Sequence, residues 1–425
     1  GRKAPLPWPV VEPCSEPMGL AIDVGTTQIK WMTDCQGQLR VQTAVNPQMG
    51  SGAEVLSRLQ WALQTPEGQP FLAELVLARF REALARQVQG WQSACLVGNP
   101  VMLGILAGWD LTPLTRPPYA LPSQSNQAEL GPGLPQVYVP PLLGGFVGAD
   151  VSGGLCALFE QEKTLQFPLL YADLGTNAEF VLVVDPERWY AASVPLGPAL
   201  EGVGLRCGTV YSQKAWTRFD VGPQGLSGHP VHVQPVGITG SGVLSLLAHL
   251  RRANVLNVAG QWQGGQTPLE RRIARNWETR RGEPCFRLSQ KLTVSATDVE
   301  EVLKVKAIFT FGLHRLFRQA GLETAACRQV HVAGSLSRHV QPSDLIELGF
   351  LPRMWQSRGH MRGNLALEGA MLLAQKRDLR DWIAARAATT RLEELAGAAS
   401  ATNGFVQHMH FAFAPRAAPG EKRVP

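Results

Sequence analysis

The 425-residue chain lacks closely spaced cysteine pairs and long apolar runs. None of its seven cysteines forms a pair at the C-x-x-C spacing of zinc and iron–sulfur ligands, which argues against an iron–sulfur cluster or zinc site in this chain. The same pattern favours a reducing compartment, and we expect a cytoplasmic protein whose cysteines are mostly small core residues.

Membrane and secretion signals are also missing. No apolar run approaches the roughly 20 residues that a membrane-spanning helix needs. The Pro-rich residues 1–18 have no apolar signal core and are predicted to form a linker. The basic runs Arg251–Arg252 and Arg271–Arg281 are short, so we interpret them as solvated faces and expect no nucleic-acid partner.

One pattern occurs twice in the chain. In GLAIDVGTTQIK, Gly19–Lys30, an apolar strand ends in Asp23 and is followed by Gly, Thr and a second strand. In YADLGTNAEFVLVV, Tyr171–Val184, the same order recurs around Asp173. Each copy predicts a β-hairpin with a carboxylate and a hydroxyl at its tip. Ordinary turn residues would explain either copy alone, whereas the pair favours a duplicated fold that holds one ligand.

The chemistry of these tips suits a nucleotide. Glycine lets the backbone approach a phosphate closely, and turn N–H groups and Thr hydroxyls donate hydrogen bonds to its oxygens. Asp23 and Asp173 would repel a phosphate, so they are predicted to hold Mg²⁺ through water and to orient the attacking water. The predicted phosphate-binding residues are Gly25, Thr26, Thr27, Gly175, Thr176 and Asn177.

Three further stretches carry weaker signals. Glu201 is the one carboxylate in Pro195–Gly208. It is either a catalytic residue that contacts the ligand or the partner of a helix cap. A Gly/Ser turn at the start of a predicted helix could bind an anion, although many ordinary helix N-caps have the same composition. Separately, a predicted strand followed by small residues could support adenosine. The residues concerned are Gly240, Ser241 and Gly242 for the anion, and Gly334 and Ser335 for adenosine.

The order of elements predicts an α/β clamp of two subdomains, each with a mixed β-sheet flanked by helices. The expected boundaries are a linker over 1–18, subdomains over 19–165 and 166–415 with an excursion near 255–285, and a flexible tail over 416–425. Ser295–Asp298 is a predicted N-cap of a helix that runs to Gln319, and alternation over Phe405–Phe413 predicts an added strand.

Together, DVGTT, DLGTNAE and VAGS resemble the phosphate-binding hairpins and adenosine loop of the acetate and sugar kinase, heat-shock chaperone and actin superfamily. Within it, NPQMGSGAEVLSRL, PPLLGGFVGADVSGGL and GPALEGVGLRCG are similar to the ATPase part of the reductive activators of corrinoid proteins. The resemblance implies an actin-like, ribonuclease H-like fold that binds ATP and Mg²⁺. It also implies a homodimer that drives the one-electron reduction of cob(II) to cob(I) on a corrinoid protein or cobalamin-dependent methyltransferase.

The chain departs from that family in having no ferredoxin cysteine cluster. We therefore expect a separate ferredoxin-like electron donor, or a chain that is a fragment of a longer protein. Two rival interpretations stay open. A small-molecule kinase on the same fold could use Glu201 or Asp150 as its base. A nucleotide-gated scaffold would have no such substrate and would polymerise with ATP.

Overall fold

The computed structural model describes residues 8–52, 54–87, 90–119, 126–231, 234–393 and 406–413. The chain divides into two compact units, each assembled from separate stretches. The first comprises Gly1–Ser193, His331–Arg338 and Arg362–Glu394, and the second Val194–Val330, His339–Met361 and Leu395–Pro425. The predicted boundary between residues 165 and 166 falls inside the first unit, and the division into two actin-like subdomains stays a prediction. The predicted flexible tail lies outside the described residues.

Groups of strands and helices follow one another along the chain. The strands are β1 Pro17–Val24, β2 Gln28–Cys35, β3 Gln38–Val45, β4 Ser93–Gly98, β5 Gln127–Glu129, β6 Gln136–Tyr138, β7 Leu169–Leu174, β8 Asn177–Asp185, β9 Arg188–Pro195, β10 Ala215–Trp216, β11 Arg218–Gly222, β12 Gly225–His229, β13 Gly237–Ile238, β14 Trp277–Arg280, β15 Glu283–Arg287, β16 Thr293–Ser295, β17 Gln329–Ala333, β18 Gly359–Gly363 and β19 Arg391–Glu393. The α-helices are α1 Val55–Gln64, α2 Gly68–Leu84, α3 Pro100–Ala107, α4 Ala149–Gln161, α5 Gly240–Arg252, α6 Pro268–Ala274, α7 Ala296–Gln319, α8 Pro342–Glu347, α9 Leu365–Gln375 and α10 Arg377–Thr389. Within the described residues, no helix is both long enough and apolar enough to cross a membrane.

Two six-stranded mixed sheets organise the fold. The first has the order β3-β2-β1-β4-β6-β5, with β1 antiparallel to β2 and parallel to β4. The second has the order β18-β17-β7-β8-β9-β19, in which β7 and β8 form an antiparallel hairpin. Both central strands, β1 and β7, are apolar nearly throughout and buried, as expected of strands covered on both faces. Mixed sheets flanked by helices are what the sequence predicts, and that prediction is confirmed.

Helices α4 and α9 pack through glycine. A side chain at Gly369 would overlap the carbonyl of Gly153, and one at Gly153 would lie 2.9 Å from the carbonyl oxygen of Ala366. The two backbones therefore approach as closely as the absence of Cβ atoms allows. This contact fixes the N-terminal ends of both helices, where Asp150 and Asn364 lie.

The lead segment before β1 packs onto the first unit. Trp8 is buried, stacks on Trp31 with ring centroids 5.3 Å apart, and meets Phe80 edge to face at 5.0 Å. A disulfide between Cys14 and Cys35 ties the same segment to the end of β2. The described residues before β1 are therefore packed against the first unit, whereas the sequence predicts that they form a linker.

The cysteine prediction is confirmed in part. The free cysteines Cys95, Cys156, Cys207, Cys285 and Cys327 are all buried, as expected of small core residues. The disulfide of the lead segment was not expected, because it joins residues 21 positions apart that no short spacing pattern connects. Since the predicted reducing compartment depended on unpaired thiols, the cytoplasmic location stays a prediction.

Helix α7 is the longest helix of the second unit. Its capping box is formed by Ser295, whose Oγ accepts from the Asp298 N–H at 3.2 Å and whose N–H donates to Asp298 Oδ2 at 2.9 Å. The predicted N-cap and the predicted end at Gln319 are both confirmed.

The strand predicted over Phe405–Phe413 is wrong for the described residues 406–413. They form a 3-10 turn, Val406–His408, followed by irregular chain. The buried Lys306 Nζ of α7 donates to the carbonyl oxygens of His408 at 3.1 Å and Ala412 at 2.6 Å, which removes acceptors that a strand ladder would use. Residue 405 lies outside the described part of the chain.

Candidate functional site

The tips of the two repeated hairpins meet within the first unit. Thr26 Oγ1 and Thr176 Oγ1 share a hydrogen bond of 2.6 Å, and both residues are about 5% exposed. The Gly25 N–H donates to the Gln28 carbonyl at 3.0 Å, and the equivalent Gly175 N–H donates to the Asn177 carbonyl at 2.9 Å. The duplicated motif therefore places two glycine turns and two hydroxyls side by side, as the sequence predicts.

The first tip is one residue longer than the second, and Asn46 braces it. Three residues, Gly25 to Thr27, separate β1 from β2, whereas two residues separate β7 from β8. Asn46 is 1% exposed, donates through Nδ2 to the Gly25 carbonyl at 2.8 Å, and donates its own N–H to the Thr27 carbonyl at 2.9 Å. The extra residue, Thr27, is thereby held in a defined turn.

Four carboxylates surround these tips. Asp23 lies in β1, Asp173 in β7 and Glu179 in β8, while Asp150 is in the first turn of α4. Asp23 and Glu179 are buried, with 8% and 5% exposure. Asp173 pairs across its hairpin with Glu179, and at the equivalent position Asp23 pairs with Lys30.

Burial and mutual repulsion raise the pKa values of this cluster. Burial, followed by the charge of Asp23, raises the pKa of Asp173 to about 6. Burial, then the charges of Asp173 and Asp23, raises the pKa of Asp150 to about 8. The pKa of Glu179 is raised well above its ordinary value by burial and by Asp150 and Asp173. Burial also raises the pKa of Asp23, although the Lys30 ammonium opposes it.

The charge imbalance fits a divalent cation. Lys30 Nζ lies 3.7 Å from Asp23 Oδ2 and offsets one of the four carboxylates. Among the described residues, no three His, Cys, Asp or Glu side chains converge to hold a metal alone. That arrangement suits Mg²⁺, which usually takes one or two carboxylates and obtains its other ligands from water and phosphate.

A buried donor beside Asp23 also points to a ligand. The Asn364 amide is close enough to lower the pKa of Asp23. Its Nδ2 is buried and, within the described part of the chain, has no partner at hydrogen-bond geometry. An amide N–H₂ left unpaired in a buried site is costly, so a ligand oxygen at this position would relieve it.

Tyr171 donates a hydrogen bond to Asp173. Its hydroxyl lies 3.3 Å from Asp173 Oδ2, and the residue is fully buried. Gly154 of α4 provides the space, because a Cβ atom there would overlap that hydroxyl. The glycine-rich start of α4 therefore has a packing role in the site.

The predicted adenosine loop lies against the second hairpin. Gly334 has φ +93°, and a Cβ atom there would lie 2.6 Å from Asp173 Oδ1 and would overlap the Leu174 carbonyl. Both the conformation and the close approach require glycine. Ser335 begins the 3-10 turn Ser335–Arg338 directly after it, and its side chain lies outside the described part.

The remaining predicted site residues belong to the second unit. Gly240 and Gly242 are buried at the start of α5, where side chains would overlap the Leu200 carbonyl and approach the Trp216 carbonyl oxygen to 2.5 Å. Packing therefore accounts for both glycines, and the Ser241 hydroxyl donates to the Thr217 carbonyl at 3.1 Å. Glu201 ends the 3-10 turn Pro198–Glu201, and its side chain is outside the described part. Their roles in ATP binding and catalysis stay predictions.

Sequence reasoning missed several members of the cluster. Lys30 and Glu179 could have been found from hairpin register, because each is the cross-strand partner of a predicted Asp. Asn364 and Tyr171 gave no comparable signal, since a tyrosine in an apolar strand and an asparagine before a helix are common.

Two family models match the chain. One, described as the RACo middle region, matches residues 18–161. The other, described as the C-terminal domain of RACo, the ASKHA domain, matches residues 168–417.

Curated relatives agree with these matches. "Corrinoid activation enzyme RamQ" of Eubacterium limosum is 24% identical over 382 residues, which is 83% of this chain and 63% of the relative. A Methanosarcina barkeri protein named as a reductase of the "Co(II) methylated amine-specific corrinoid protein" is 22% identical over 383 residues, 79% of this chain and 66% of the relative. The chain thus spans less than two thirds of the length of these relatives.

A solved structure shows the same fold. It is described as "Reductive activator for corrinoid,iron-sulfur protein" and matches with a TM-score of 0.81 at 23% identity, over 94% of this chain and 67% of that one. With the match to the ASKHA-domain model, this confirms the predicted actin-like fold.

Proposed function

The chain belongs to the RACo family, and from that membership we propose that it is the ATPase part of a reductive activator for a corrinoid protein. The observation that carries the proposal is the contact between the two hairpin tips, surrounded by buried carboxylates and an unpaired Asn364 donor. Glycine turns, hydroxyls and excess carboxylate are the groups that bind a magnesium nucleotide.

In this proposal each tip binds phosphate. The N–H groups and hydroxyls at the tips donate to phosphate oxygens, and the shared hydrogen bond between Thr26 and Thr176 opens to admit them. Lys30 stays paired with Asp23 and so reduces the repulsion between that carboxylate and the phosphates. The phosphate-binding residues are Gly25, Thr26, Thr27, Gly175, Thr176 and Asn177.

Asp23 and Asp173 hold Mg²⁺, largely through its water shell, and Mg²⁺ neutralises the negative charge that ATP brings. Tyr171 keeps Asp173 in position for that role and for orienting the attacking water. Glu201 is proposed as a further catalytic carboxylate. Adenosine rests on Gly334 and Ser335, with Gly240, Ser241 and Gly242 as a second anion seat.

ATP hydrolysis drives a reduction that is otherwise uphill. One electron from a separate ferredoxin-like donor reduces cob(II) to cob(I) on the partner, while ATP and water become ADP and phosphate. ATP can change the state of the partner only if the partner binds the ATP-bound and the nucleotide-free activator with different affinities. We further propose a homodimer that works in the cytoplasm.

The test uses the purified chain with a corrinoid protein held as cob(II) and a low-potential electron donor. Mg-ATP hydrolysis is followed by phosphate release, and reduction by loss of the cob(II) absorption. We expect the partner to stimulate hydrolysis and the cob(II) spectrum to disappear only with ATP. Hydrolysis that no corrinoid protein alters would refute the proposal.

A matched pair of variants assigns the chemistry to the site. Asp173→Asn keeps the shape of the side chain and removes its charge, so hydrolysis should fall on the order of a hundredfold. Asp185→Asn makes the same change at the far end of β8, beside Arg188, and should leave hydrolysis unchanged. Equal rates in the two variants would remove Asp173 from the mechanism.

The kinase alternative is kept because of Asp150. With a pKa of about 8, Asp150 can accept the proton of a substrate hydroxyl only in its ionised form, so phosphorylation by such a kinase base should rise with pH toward 8. ATP-dependent phosphorylation of a sugar or a carboxylic acid, abolished by Asp150→Asn, would establish this function. ATP turnover with only inorganic phosphate as product would exclude it.

A further inference from the structure

The basic charge of the chain is concentrated in one segment. Residues 251–291 contain nine Arg and Lys residues and three Glu residues, a net charge of +6, which equals that of the whole chain. The residues outside this segment therefore carry no net charge. All 41 residues of this segment are described, and they belong to the second unit.

The fold displays these cations on one short helix and one hairpin. Arg271 and Arg275 lie a helical turn apart, at the C-terminal end of α6, and both are exposed. Arg280 and Arg287 share one face of the β14–β15 hairpin, where both approach Glu278, at 3.2 and 3.8 Å. The hairpin turn adds Arg281, which is exposed and has φ +51°. The basic surface consists of Arg271, Arg275, Arg280, Arg281 and Arg287.

Of the three acids in this segment, only Glu278 pairs with arginines of the basic surface, namely Arg280 and Arg287. Glu270 accepts the N–H of Thr267 in the capping box of α6. Glu283 accepts from the N–H and hydroxyl of Thr297, and pairs with Arg206, which lies outside the segment. Arg275 and Arg281 make no ion pair within the described part of the chain.

An exposed aromatic residue belongs to the same hairpin, on the face opposite to that of Arg280 and Arg287. Trp277 begins the edge strand β14 and is 45% exposed, although indole side chains are usually well buried. Exposed Trp and Arg residues are the two types most enriched among residues that dominate binding energy at protein interfaces. The combination indicates a contact surface for another protein.

We propose that the basic surface docks an acidic face of a protein partner, which under the proposed function is the corrinoid protein. The proposal rests on that function for the identity of the partner. Guanidinium groups pair with carboxylates through two parallel hydrogen bonds, and charge at an interface rim speeds association more than it tightens binding. An activator that must bind, act and leave benefits from that balance.

A nucleic acid fits the surface less well. A duplex presents one charge about every 1.7 Å and favours an uninterrupted stripe of cations, whereas Glu278 sits between Arg280 and Arg287. An interrupted set of cations of this kind suits separate carboxylate side chains on an acidic protein face.

The experiment compares two double variants of the full chain with equal change of charge. Arg275→Glu with Arg281→Glu alters the basic surface, while Arg318→Glu with Arg353→Glu alters exposed arginines elsewhere in the second unit. Association with the corrinoid protein of the activation assay is measured at low and at physiological ionic strength. We expect the first pair to slow association on the order of tenfold and to flatten its salt dependence, with ATP hydrolysis in the absence of partner unchanged.

The outcomes separate the surface from the function. If the two double variants associate alike while the wild type still activates the corrinoid protein, the docking surface is refuted and the proposed function stands. If the wild type binds poly-L-glutamate through Arg275 and Arg281 but never stimulates a corrinoid protein, the surface is supported and the function fails. Tighter binding of duplex DNA than of any acidic protein, lost with Arg275→Gln and Arg281→Gln, would overturn the assignment to a protein partner.

Discussion

Asp150 should make the metal-free chain less stable as pH rises. In the folded chain its pKa is raised to about 8, whereas an unfolded Asp has a pKa near 4. Between these values the folded state holds a proton that the unfolded state lacks, so unfolding releases it and higher pH favours unfolding. From about pH 6 to about pH 9 this one group should cost about 2 to 3 kcal/mol of unfolding free energy. Asp173, with a pKa of about 6, adds a few tenths over the same range.

The measurement is urea unfolding in chelator at several pH values, followed by tryptophan fluorescence. Trp31 and Trp189 are both buried in the first unit and report its unfolding. Asp150→Asn should reduce the pH dependence, and the part that remains comes from Glu179 and Asp173, whose pKa values are also raised. Asp185→Asn should leave it intact, because Arg188 lowers the pKa of Asp185 below this range. A wild-type slope that Asp150→Asn does not change would refute the assignment of the raised pKa to Asp150.

Three further predictions concern the site and its support. Thr176→Ala should weaken Mg-ATP binding roughly tenfold by calorimetry, while Thr176→Ser should keep the wild-type affinity, since one hydroxyl bond to a charged oxygen is lost only in the first. Gly154→Ala should lower the unfolding free energy by about 1 to 3 kcal/mol, because its methyl group overlaps the Tyr171 hydroxyl, and Tyr171→Phe in the same chain should recover part of that loss. Equal costs with and without Tyr171→Phe would contradict the clash. Lys306→Met should speed proteolysis near His408 on the order of tenfold by removing two hydrogen bonds, and an unchanged digestion rate would show that Lys306 does not hold this segment.

Local chemistry made much of the fold predictable. The hairpin tips need only neighbouring residues, since a glycine turn between two apolar strands closes on itself, and both were found in the sequence. The start of α7 was equally local, because Ser295 and Asp298 cap each other across one turn. Such features depend on spacing of a few residues, which a sequence displays directly.

Features that depend on distant contacts were not predictable. The disulfide joins Cys14 to Cys35 only because the lead segment docks beside β2 and β3, a result of burying Trp8. The predicted strand near Phe411 fails for a similar reason, because Lys306, more than 100 residues away in sequence, takes the backbone oxygens of that segment. Alternation of apolar residues alone cannot reveal such a competitor.

At one matched position the two hairpins carry side chains of opposite charge, and this difference makes the two copies of the motif electrically distinct. Opposite Asp23 stands a cation, Lys30, and opposite Asp173 stands a second anion, Glu179. With identical partners, the two halves would be electrically interchangeable, and a molecule between them could lie either way round. With this exchange, an elongated ligand whose two ends differ in charge has a single preferred polarity.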